Sequence, residues 1–191
     1  MSDHLVVVRH GETEWSAAGR HTSRTDLELT SDGRRRAEGL VAALSEWSFA
    51  LVLSSPLKRA RETCEIAGFG SRAEIDDDLR EWDYGEYEGL TTPEIRAKAP
   101  RWSLWRDGCP GGEFPAGVGA RADRVLARLA GAEGDALAFA HGHILRVLAA
   151  RWAEMDVAVG ARLALGAGAI GVLGYERETR VIERWNLTPA G

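Results

Sequence analysis

The chain of 191 residues has only two cysteines, Cys64 and Cys109, and their spacing fits neither a disulfide framework nor a zinc site. Cys64 lies in a helix-like stretch and is interpreted as a small core residue, whereas the role of Cys109, in a turn, is open. The N-terminal stretch has no basic segment and only a short apolar run, so neither a signal peptide nor a membrane span is expected. These absences predict a cytoplasmic protein that does not bind membranes.

An excess of positive charge is also absent. The net charge is −5, from 24 basic and 29 acidic residues, which argues against a general nucleic-acid binder. The run Arg34-Arg35-Arg36 lies beside Glu38 and is interpreted as a solvated helix face. Hydrophobic residues make up 45% of the chain, enough for a substantial core, and the length favours one domain over residues 1–191.

Three short apolar runs predict buried strands, and polar residues follow each of them. The runs are LVVV (5–8), FALVLSS (49–55) and DALAFAHG (135–142). A helical pattern follows each of these strands, at residues 29–47, 56–68 and 143–155. The first predicted helix has Thr30 or Ser31 near its N-cap and apolar residues at 37, 40, 41 and 44, and the second starts at Pro56.

The remaining segments complete the predicted fold. Residues 169–176 and 179–186 are strand-like and are predicted to form a terminal hairpin. The stretch 82–119 is rich in Gly, Pro and Trp, contains the short helical piece TPEIRAKA, and is interpreted as an inserted lid. Its Trp102 and Trp105 are three residues apart, which favours one helical face packed inside the lid over substrate contact. Strands alternating with helices predict an α/β fold with a mostly parallel central sheet.

The polar strand ends point to one site, because ligands bind beyond the carboxyl ends of parallel strands. These ends are Arg9-His10-Gly11, Ser54-Ser55 and His141-Gly142, and Arg59 lies in the first turn of the helix after the second strand. A glycine lets its backbone amide approach a ligand, which makes Gly142 a candidate binding residue. Two arginines, two imidazoles and helix N-termini together suit a compact, multiply charged anion, and phosphate is the obvious candidate.

A proton donor for such a site is less well defined by the residues alone. Glu12, Glu81 and Glu88 all lie in polar motifs, and the pattern does not decide among them. The remaining histidines are interpreted by position. His21 is placed near the phosphate loop, where it can touch substrate, His143 in the first turn of a helix, and His4 away from the site.

Four motifs in order make the chain similar to a known family. RHGETEW, SSPLKRARET, LREWDYGEYEGL and AHGH resemble the histidine phosphatase superfamily, also called phosphoglycerate mutase-like, from residue 5 to about 175. The resemblance implies a three-layer α/β/α sandwich, in agreement with the pattern of strands and helices. EWDYGEYEGLTTPEI and WRDGCPGGE further resemble the branch that holds sedoheptulose-bisphosphatases and certain small bacterial acid phosphatases.

The resemblance implies a role for each matching residue. His10 would be the nucleophile that becomes phosphorylated, and Glu81 the proton donor to the leaving oxygen. The residues that would bind the phosphoryl group are Arg9, Arg59 and His141, and those that would line its pocket are Ser16, Thr22 and Ser23. Family members often carry asparagine in place of Ser16 and glycine in place of Ser23. No metal and no cofactor is implied.

The function implied is a metal-independent phosphatase that acts on phosphomonoesters of small metabolites, such as sugar phosphates, through a phosphohistidine. The alternative is a cofactor-dependent phosphoglycerate mutase, whose members usually carry a longer insertion in the middle of the chain. A non-catalytic phosphate-binding module is disfavoured, because His10 and the arginines are all present. A homodimer through the terminal hairpin or the lid tryptophans is left open.

Overall fold

A computed structural model describes residues 4–189 and has at its centre a six-stranded sheet in the order β3-β2-β4-β1-β5-β6. Its strands are β1 (Leu5–Arg9), β2 (Phe49–Ser54), β3 (Glu74–Ile75), β4 (Asp135–Ala140), β5 (Ile170–Glu176) and β6 (Thr179–Leu187). The first four strands of the sheet run parallel, whereas β5 is antiparallel to β1 and to β6. The mostly parallel sheet and the terminal hairpin are thereby confirmed.

Seven α-helices surround the sheet within the described residues. They are α1 (Glu14–Ala17), α2 (Ser31–Leu44), α3 (Lys58–Ile66), α4 (Thr92–Lys98), α5 (Leu104–Asp107), α6 (Pro115–Ala130) and α7 (Gly142–Trp152). The three helices predicted beside the strands are present as α2, α3 and α7. Pro56 was predicted to start the second helix, but α3 begins two residues later, at Lys58. Ser55 Oγ accepts a hydrogen bond of 3.3 Å from Leu57 N, so the chain turns first and Leu57 becomes the N-cap.

The alternating residues of β1 show why the fold has three layers. Successive side chains of a strand point to opposite faces. Leu5 and Val7 join one buried cluster with residues of α6 and α7, whereas Val6 and Val8 join a second cluster with residues of α2 and α3. The sheet is therefore covered on both faces, which explains why its first strand is apolar at every position from 5 to 8.

Helix α2 has the predicted cap but a narrower apolar face. Thr30 is the N-cap, and its Oγ1 accepts a hydrogen bond of 3.0 Å from Gly33 N. Leu40 is fully buried, whereas Val41, which belongs to the same apolar pattern, is 51% exposed. One residue of an α-helix turns the side chain by about 100°, which carries Val41 off the stripe that contacts the sheet.

The stretch 82–119 packs as part of the core rather than over it. Trp82, Tyr84, Trp102 and Cys109 are buried in the cluster that also holds Leu5 and Val7. The prediction that Trp102 and Trp105 share one helical face was wrong, because Trp102 precedes α5 and only Trp105 belongs to it. The last five residues of the stretch are the first turn of α6.

Backbone hydrogen bonds join this stretch to the loop after α1. His21 N donates to Leu90 O at 2.9 Å, Gly89 N donates to His21 O at 2.8 Å, and an isolated antiparallel bridge pairs Arg20 with Thr91. Over the described residues, no helix has the length and apolar character needed to cross a bilayer.

Replacement of two neighbouring residues tests the register of α2. We expect Leu40→Ala to lower the free energy of unfolding by about 2–5 kcal/mol, because it leaves a cavity in the core. Val41→Ala is the matched control and is expected to change it by less than about 0.5 kcal/mol, since its side chain faces solvent. Urea titrations of both variants measure the difference, and equal losses would contradict the assigned register.

Candidate active site

A cavity of about 230 Å³ lies where β1 and β4 end. Its wall holds Arg9, His10 and Gly142 from these strand ends, and Glu81 from the loop before α4. Two of the predicted pocket residues, Ser16 and Thr22, also line it. The convergence expected at the carboxyl edge of the sheet is therefore present, although Arg59, His141 and Ser23 are not part of the wall.

His10 is the buried histidine at the end of β1. Its backbone N donates to Ala140 O of β4 at 2.9 Å, and its Nδ1 lies 2.6 Å from Gly11 O. Because a carbonyl oxygen can only accept, Nδ1 carries the proton and Nε2 keeps its lone pair. Burial, followed by the charges of Arg59 and Arg9, holds the pKa of His10 well below its ordinary value of 6.5. The ring is therefore neutral, as a nucleophile must be.

His141 lies directly behind His10, with the ring centroids 5.1 Å apart. Its Nδ1 accepts a hydrogen bond of 3.1 Å from Arg59 Nε, and its Nε2 donates to Ser55 Oγ at 2.7 Å. Burial, followed by the charge of Arg59, holds its pKa well below the ordinary value. Both ring nitrogens are thus used by the protein, and His141 supports His10 from within the core rather than from the wall.

Arg59 is fully buried in the first turn of α3 and holds the loop that precedes α2. Besides the bond to His141, its guanidinium donates to the carbonyl oxygens of Thr25 at 3.1 Å, Thr22 at 3.1 Å and Ser23 at 3.3 Å. The guanidinium therefore lies beside His141, at the carboxyl end of β4. Its charge acts on His10 from behind the cavity wall.

Arg9 is the cation beside His10 on the wall. Its Nη1 donates to Leu165 O at 2.5 Å, and its buried Nε has no hydrogen-bond acceptor among the residues that the structure describes. A Cβ on Gly142 would lie only 3.3 Å from this Nε, so the glycine leaves room for the guanidinium. A buried donor without an acceptor costs free energy, and a ligand oxygen in the cavity would remove that cost.

Glu81 is the only carboxylate on the cavity wall formed by residues 4–189. It accepts three backbone hydrogen bonds, of 2.9 Å from Trp82 N, 3.0 Å from His143 N and 2.9 Å from Ile144 N. Two of these donors belong to the first turn of α7, whose N-terminus favours negative charge. The carboxylate is therefore held in one orientation at the cavity.

The two rival carboxylates have other partners. Glu88 accepts hydrogen bonds from Ser23 N at 2.9 Å, Ser23 Oγ at 2.6 Å and Thr25 N at 3.0 Å, so it holds the loop. Glu12 accepts one from Thr30 Oγ1 at 3.1 Å. These contacts also explain why the prediction that Ser23 lines the pocket was wrong: its hydroxyl is turned to Glu88, away from the cavity.

Sequence reasoning undervalued His143 and missed Arg146, and both lie on the cavity wall. His143 was interpreted as an ordinary residue of a helix start, but it is both in the first turn of α7 and on the wall. Its Nδ1 lies 2.6 Å from Tyr84 Oη. His21 lines the cavity as expected, and Arg146 lines it without any sequence signal. Burial, followed by the charge of Arg146, holds the pKa of His143 well below 6.5.

The charges on the wall favour an anionic ligand. Arg9, Arg20 and Arg146 contribute three cations, whereas Glu81 contributes one anion. Across the described part of the chain, no group of three or more His, Cys, Asp or Glu side chains is arranged to hold a metal ion. The arrangement can bind a phosphoryl group next to a neutral imidazole with a free Nε2, with a carboxylate available for proton transfer.

Comparison with known proteins places the chain among phosphate-handling enzymes. The profile described as histidine phosphatase superfamily (branch 1) matches residues 5–188. An acid phosphatase of Mycobacterium tuberculosis is 42% identical over 188 residues, covering 96% of this chain and 92% of that protein. A sedoheptulose 1,7-bisphosphatase of Saccharomyces cerevisiae is 37% identical, covering 82% of this chain and 70% of that protein.

Two further matches bear on fold and on activity. The solved structure of an open reading frame from Mycobacterium tuberculosis superposes with a TM-score of 0.94 at 40% identity, and both chains are covered completely. A 2,3-bisphosphoglycerate-dependent phosphoglycerate mutase of Sinorhizobium fredii is 36% identical over 166 residues, 78% of each chain.

The lowered pKa values of three histidines predict how stability depends on pH. In the folded state the pKa values of His10, His141 and His143 lie well below 6.5, whereas in the unfolded chain they return to about 6.5. The unfolded state therefore takes up more protons as the pH falls below about 6.5. We expect the free energy of unfolding to be highest above that pH and to decrease below it, by up to about 1.4 kcal/mol per pH unit for each histidine.

Urea titrations between pH 8 and pH 5 in phosphate-free buffer measure this dependence. The variant His143→Gln removes one of the three groups and is expected to give a shallower slope over the same range. A free energy of unfolding that stays constant from pH 7 to pH 5 would contradict the prediction.

Proposed function

The chain belongs to branch 1 of the histidine phosphatase superfamily, and we propose that it hydrolyses phosphomonoesters of small metabolites through a phosphohistidine formed on His10. The relatives named as phosphatases support hydrolysis. The proposal depends on two adjacent residues of the cavity wall, the nucleophile His10 and the cation Arg9. Among residues 4–189, His10 has its Nδ1 bound to Gly11 O and its Nε2 without a partner, and Arg9 has a buried Nε without an acceptor.

In the first step, His10 Nε2 attacks phosphorus in line with the ester oxygen. The bond from Nε2 to phosphorus forms as the bond from phosphorus to the ester oxygen breaks. Arg9 binds the phosphoryl oxygens with its Nε–H, the donor that has no acceptor in the described part of the chain. Arg59 adds positive potential from behind, and its bonds to the carbonyls of the 22–25 loop keep that part of the wall in place.

Glu81 completes both steps by moving one proton. In its protonated form it gives the proton to the leaving alkoxide, which is a poor leaving group as an anion. A water molecule then attacks the phosphohistidine, the bond from Nε2 to phosphorus breaks, and the proton of the water returns to Glu81. Inorganic phosphate leaves, and His10 regains its neutral form with the proton on Nδ1.

The size of the cavity limits the substrate. Its volume of about 230 Å³ lies below the range of about 300–1,000 Å³ that is usual for small-molecule sites. A phosphoryl group with a short polar body, such as a sugar phosphate, fits this volume and the polar wall. A cofactor-dependent mutase is the alternative, because some relatives carry that name. Release of inorganic phosphate from 3-phosphoglycerate, rather than conversion to 2-phosphoglycerate, distinguishes hydrolysis from it.

Replacement of the nucleophile tests the proposed intermediate. We expect His10→Gln to reduce hydrolysis of p-nitrophenyl phosphate by at least about a thousandfold, because no other group can form the covalent intermediate. Rapid acid-free quenching with ³²P-labelled substrate is expected to trap label on the wild-type chain and none on the variant. His4→Gln, which lies away from the cavity, is the matched control and keeps the activity. Retention of a tenth of the wild-type rate by His10→Gln would rule out this nucleophile.

Replacement of Glu81 tests the proton transfer. The p-nitrophenolate group leaves readily without a proton, whereas an alkoxide does not. We therefore expect Glu81→Gln to lower kcat for an alkyl phosphate by about 10²–10⁴-fold and to lower it much less for p-nitrophenyl phosphate. Glu88→Gln is the control, since its carboxylate holds the loop, and any loss is expected to be equal for the two substrates. If Glu88→Gln instead lost activity selectively on the alkyl phosphate, Glu88 and not Glu81 would be the proton donor.

A further inference from the structure

Arg121 is a buried arginine of α6, and it is not part of the wall of the cavity beside His10. An arginine side chain carries five N–H donors. In Arg121 all of them have acceptors, which are the two oxygens of the Glu113 carboxylate and three main-chain carbonyl oxygens. Because no donor is left for a ligand, the side chain acts only on the protein groups around it.

The three carbonyl oxygens belong to the segment that carries Glu81. Nη1 of Arg121 donates to Asp78 O at 2.6 Å and to Arg80 O at 2.7 Å, and Nη2 donates to Glu81 O at 3.4 Å. Residues 80–84 lie in no helix or strand, so the regular hydrogen bonds of secondary structure do not fix their backbone. Carbonyl groups in such a segment need donors from elsewhere, and Arg121 provides them at Glu81 and on its N-terminal side.

Glu113 holds the same segment on the C-terminal side of Glu81. Its carboxylate accepts hydrogen bonds from Arg121 Nε at 2.9 Å, from Arg121 Nη2 at 2.7 Å and from Asp83 N at 2.9 Å. Its backbone N donates to Asp83 O at 2.9 Å, and its backbone O accepts from Trp82 Nε1 at 3.0 Å. This ion pair, the Arg121–Glu113 clamp, therefore binds main-chain groups on both sides of Glu81.

The clamp matters most when Glu81 carries a proton. The three N–H bonds to its carboxyl oxygens, from Trp82, His143 and Ile144, are strongest to the ionised form. In the protonated form, which the first step of the reaction requires, they are weaker. The bonds from Arg121 to the carbonyl oxygens do not depend on that proton, so they hold the residue in both of its states.

Packing alone does not fix Glu81, because this residue lies between two cavities. One is the cavity of about 230 Å³ beside His10, and the other, of about 480 Å³, is lined by Glu81 together with Arg121 and Glu113. A residue bordered by open space on two sides has fewer neighbouring atoms to limit its movement. Its position therefore depends on hydrogen bonds.

We propose that Arg121, paired with Glu113, is the positioning residue for the proton donor Glu81 and acts on the proton transfer without touching the substrate. This inference rests on the proposed function, in which Glu81 protonates the leaving alkoxide. Proton transfer requires the two heavy atoms to be about 2.6–3.2 Å apart, so a small displacement of the carboxyl group slows it. Loss of the clamp should therefore slow only those reactions whose leaving group needs a proton.

Two substrates with different leaving groups test the inference. We expect Arg121→Gln to lower kcat/KM for glycerol 3-phosphate by about 10- to 100-fold and kcat/KM for p-nitrophenyl phosphate by less than about threefold. The constant kcat/KM is used because it reports formation of the phosphohistidine and not its later hydrolysis. Both substrates are measured on one preparation, so their ratio does not depend on the fraction of the variant that is folded.

Further variants separate positioning from general support. Arg121→Lys keeps the charge but not the planar arrangement of donors, and it is expected to restore part of the ratio. Glu113→Gln removes the charge of the partner and is expected to shift the ratio in the same direction as Arg121→Gln. The matched control is Arg124→Gln, an exposed arginine of α6 that binds the Asp78 carboxylate but none of the three carbonyl oxygens. It is expected to change the ratio by less than about twofold.

A double variant shows whether Arg121 acts through Glu81. Glu81→Gln removes the proton that is transferred, so its position no longer matters to the leaving group. We therefore expect Arg121→Gln to cause no further shift of the ratio when it is added to Glu81→Gln, although each change alone shifts it. A residue that acted on the substrate by a separate route would shift the ratio in both backgrounds.

Two results would overturn the inference while the proposed function stands. One is an equal loss by Arg121→Gln on both substrates, as expected if the side chain only stabilises the fold. The other is a further shift of the ratio in the double variant. Absence of selectivity with Glu81→Gln would overturn the assigned proton donor and this inference with it. Absence of hydrolysis of both substrates by the wild-type protein would overturn the proposed function itself.

Discussion

The hydrogen bond from His10 Nδ1 to the carbonyl oxygen of Gly11 spans 2.6 Å and gives the two ring nitrogens different tasks. It is made within two consecutive residues at the end of β1, so the direction of the free Nε2 is set by the strand itself. The same strand end is fixed by the bond from His10 N to Ala140 O of β4. The position of the nucleophile thus follows from the pairing of two central strands, and the arginines only have to arrange charge around it.

The cost of that arrangement is electrostatic. A chain with a net charge of −5 concentrates cations at one cavity and buries Arg59 completely beneath it. The Arg59 guanidinium donates to carbonyl oxygens of the 22–25 loop and to the neutral ring of His141, while Glu81 and Glu88 act on it only through their charge, since no carboxylate among residues 4–189 forms an ion pair with it. Carbonyl acceptors satisfy the N–H donors without cancelling the charge, so the positive potential remains available to a phosphoryl group.

Sequence reasoning located the parts of the site that local patterns encode. His10 and His141 end apolar strands and are followed by glycine, and this pattern placed both at one sheet edge. The positions of the Ser23 and Arg146 side chains could not be predicted from local patterns. The hydroxyl of Ser23 is turned by Glu88, which is 65 residues away, and the guanidinium of Arg146 lies over the ring of Trp105, which approaches closely only because residue 160 is a glycine. An arginine within a helix gives no sequence signal that distinguishes a cavity wall from a solvated face.

The backbone bridge between Arg20 and Thr91, with its flanking hydrogen bonds at His21 and Leu90, ties together two segments that line or adjoin the mouth of the cavity. The cavity cannot widen there without breaking main-chain hydrogen bonds. It is therefore preformed, and it selects ligands by their fit rather than by closing around them. Selectivity of this kind is altered by single side-chain changes on a constant frame. New specificities in such a protein would then arise by point substitution on the wall, with no change in the length of the surrounding loops.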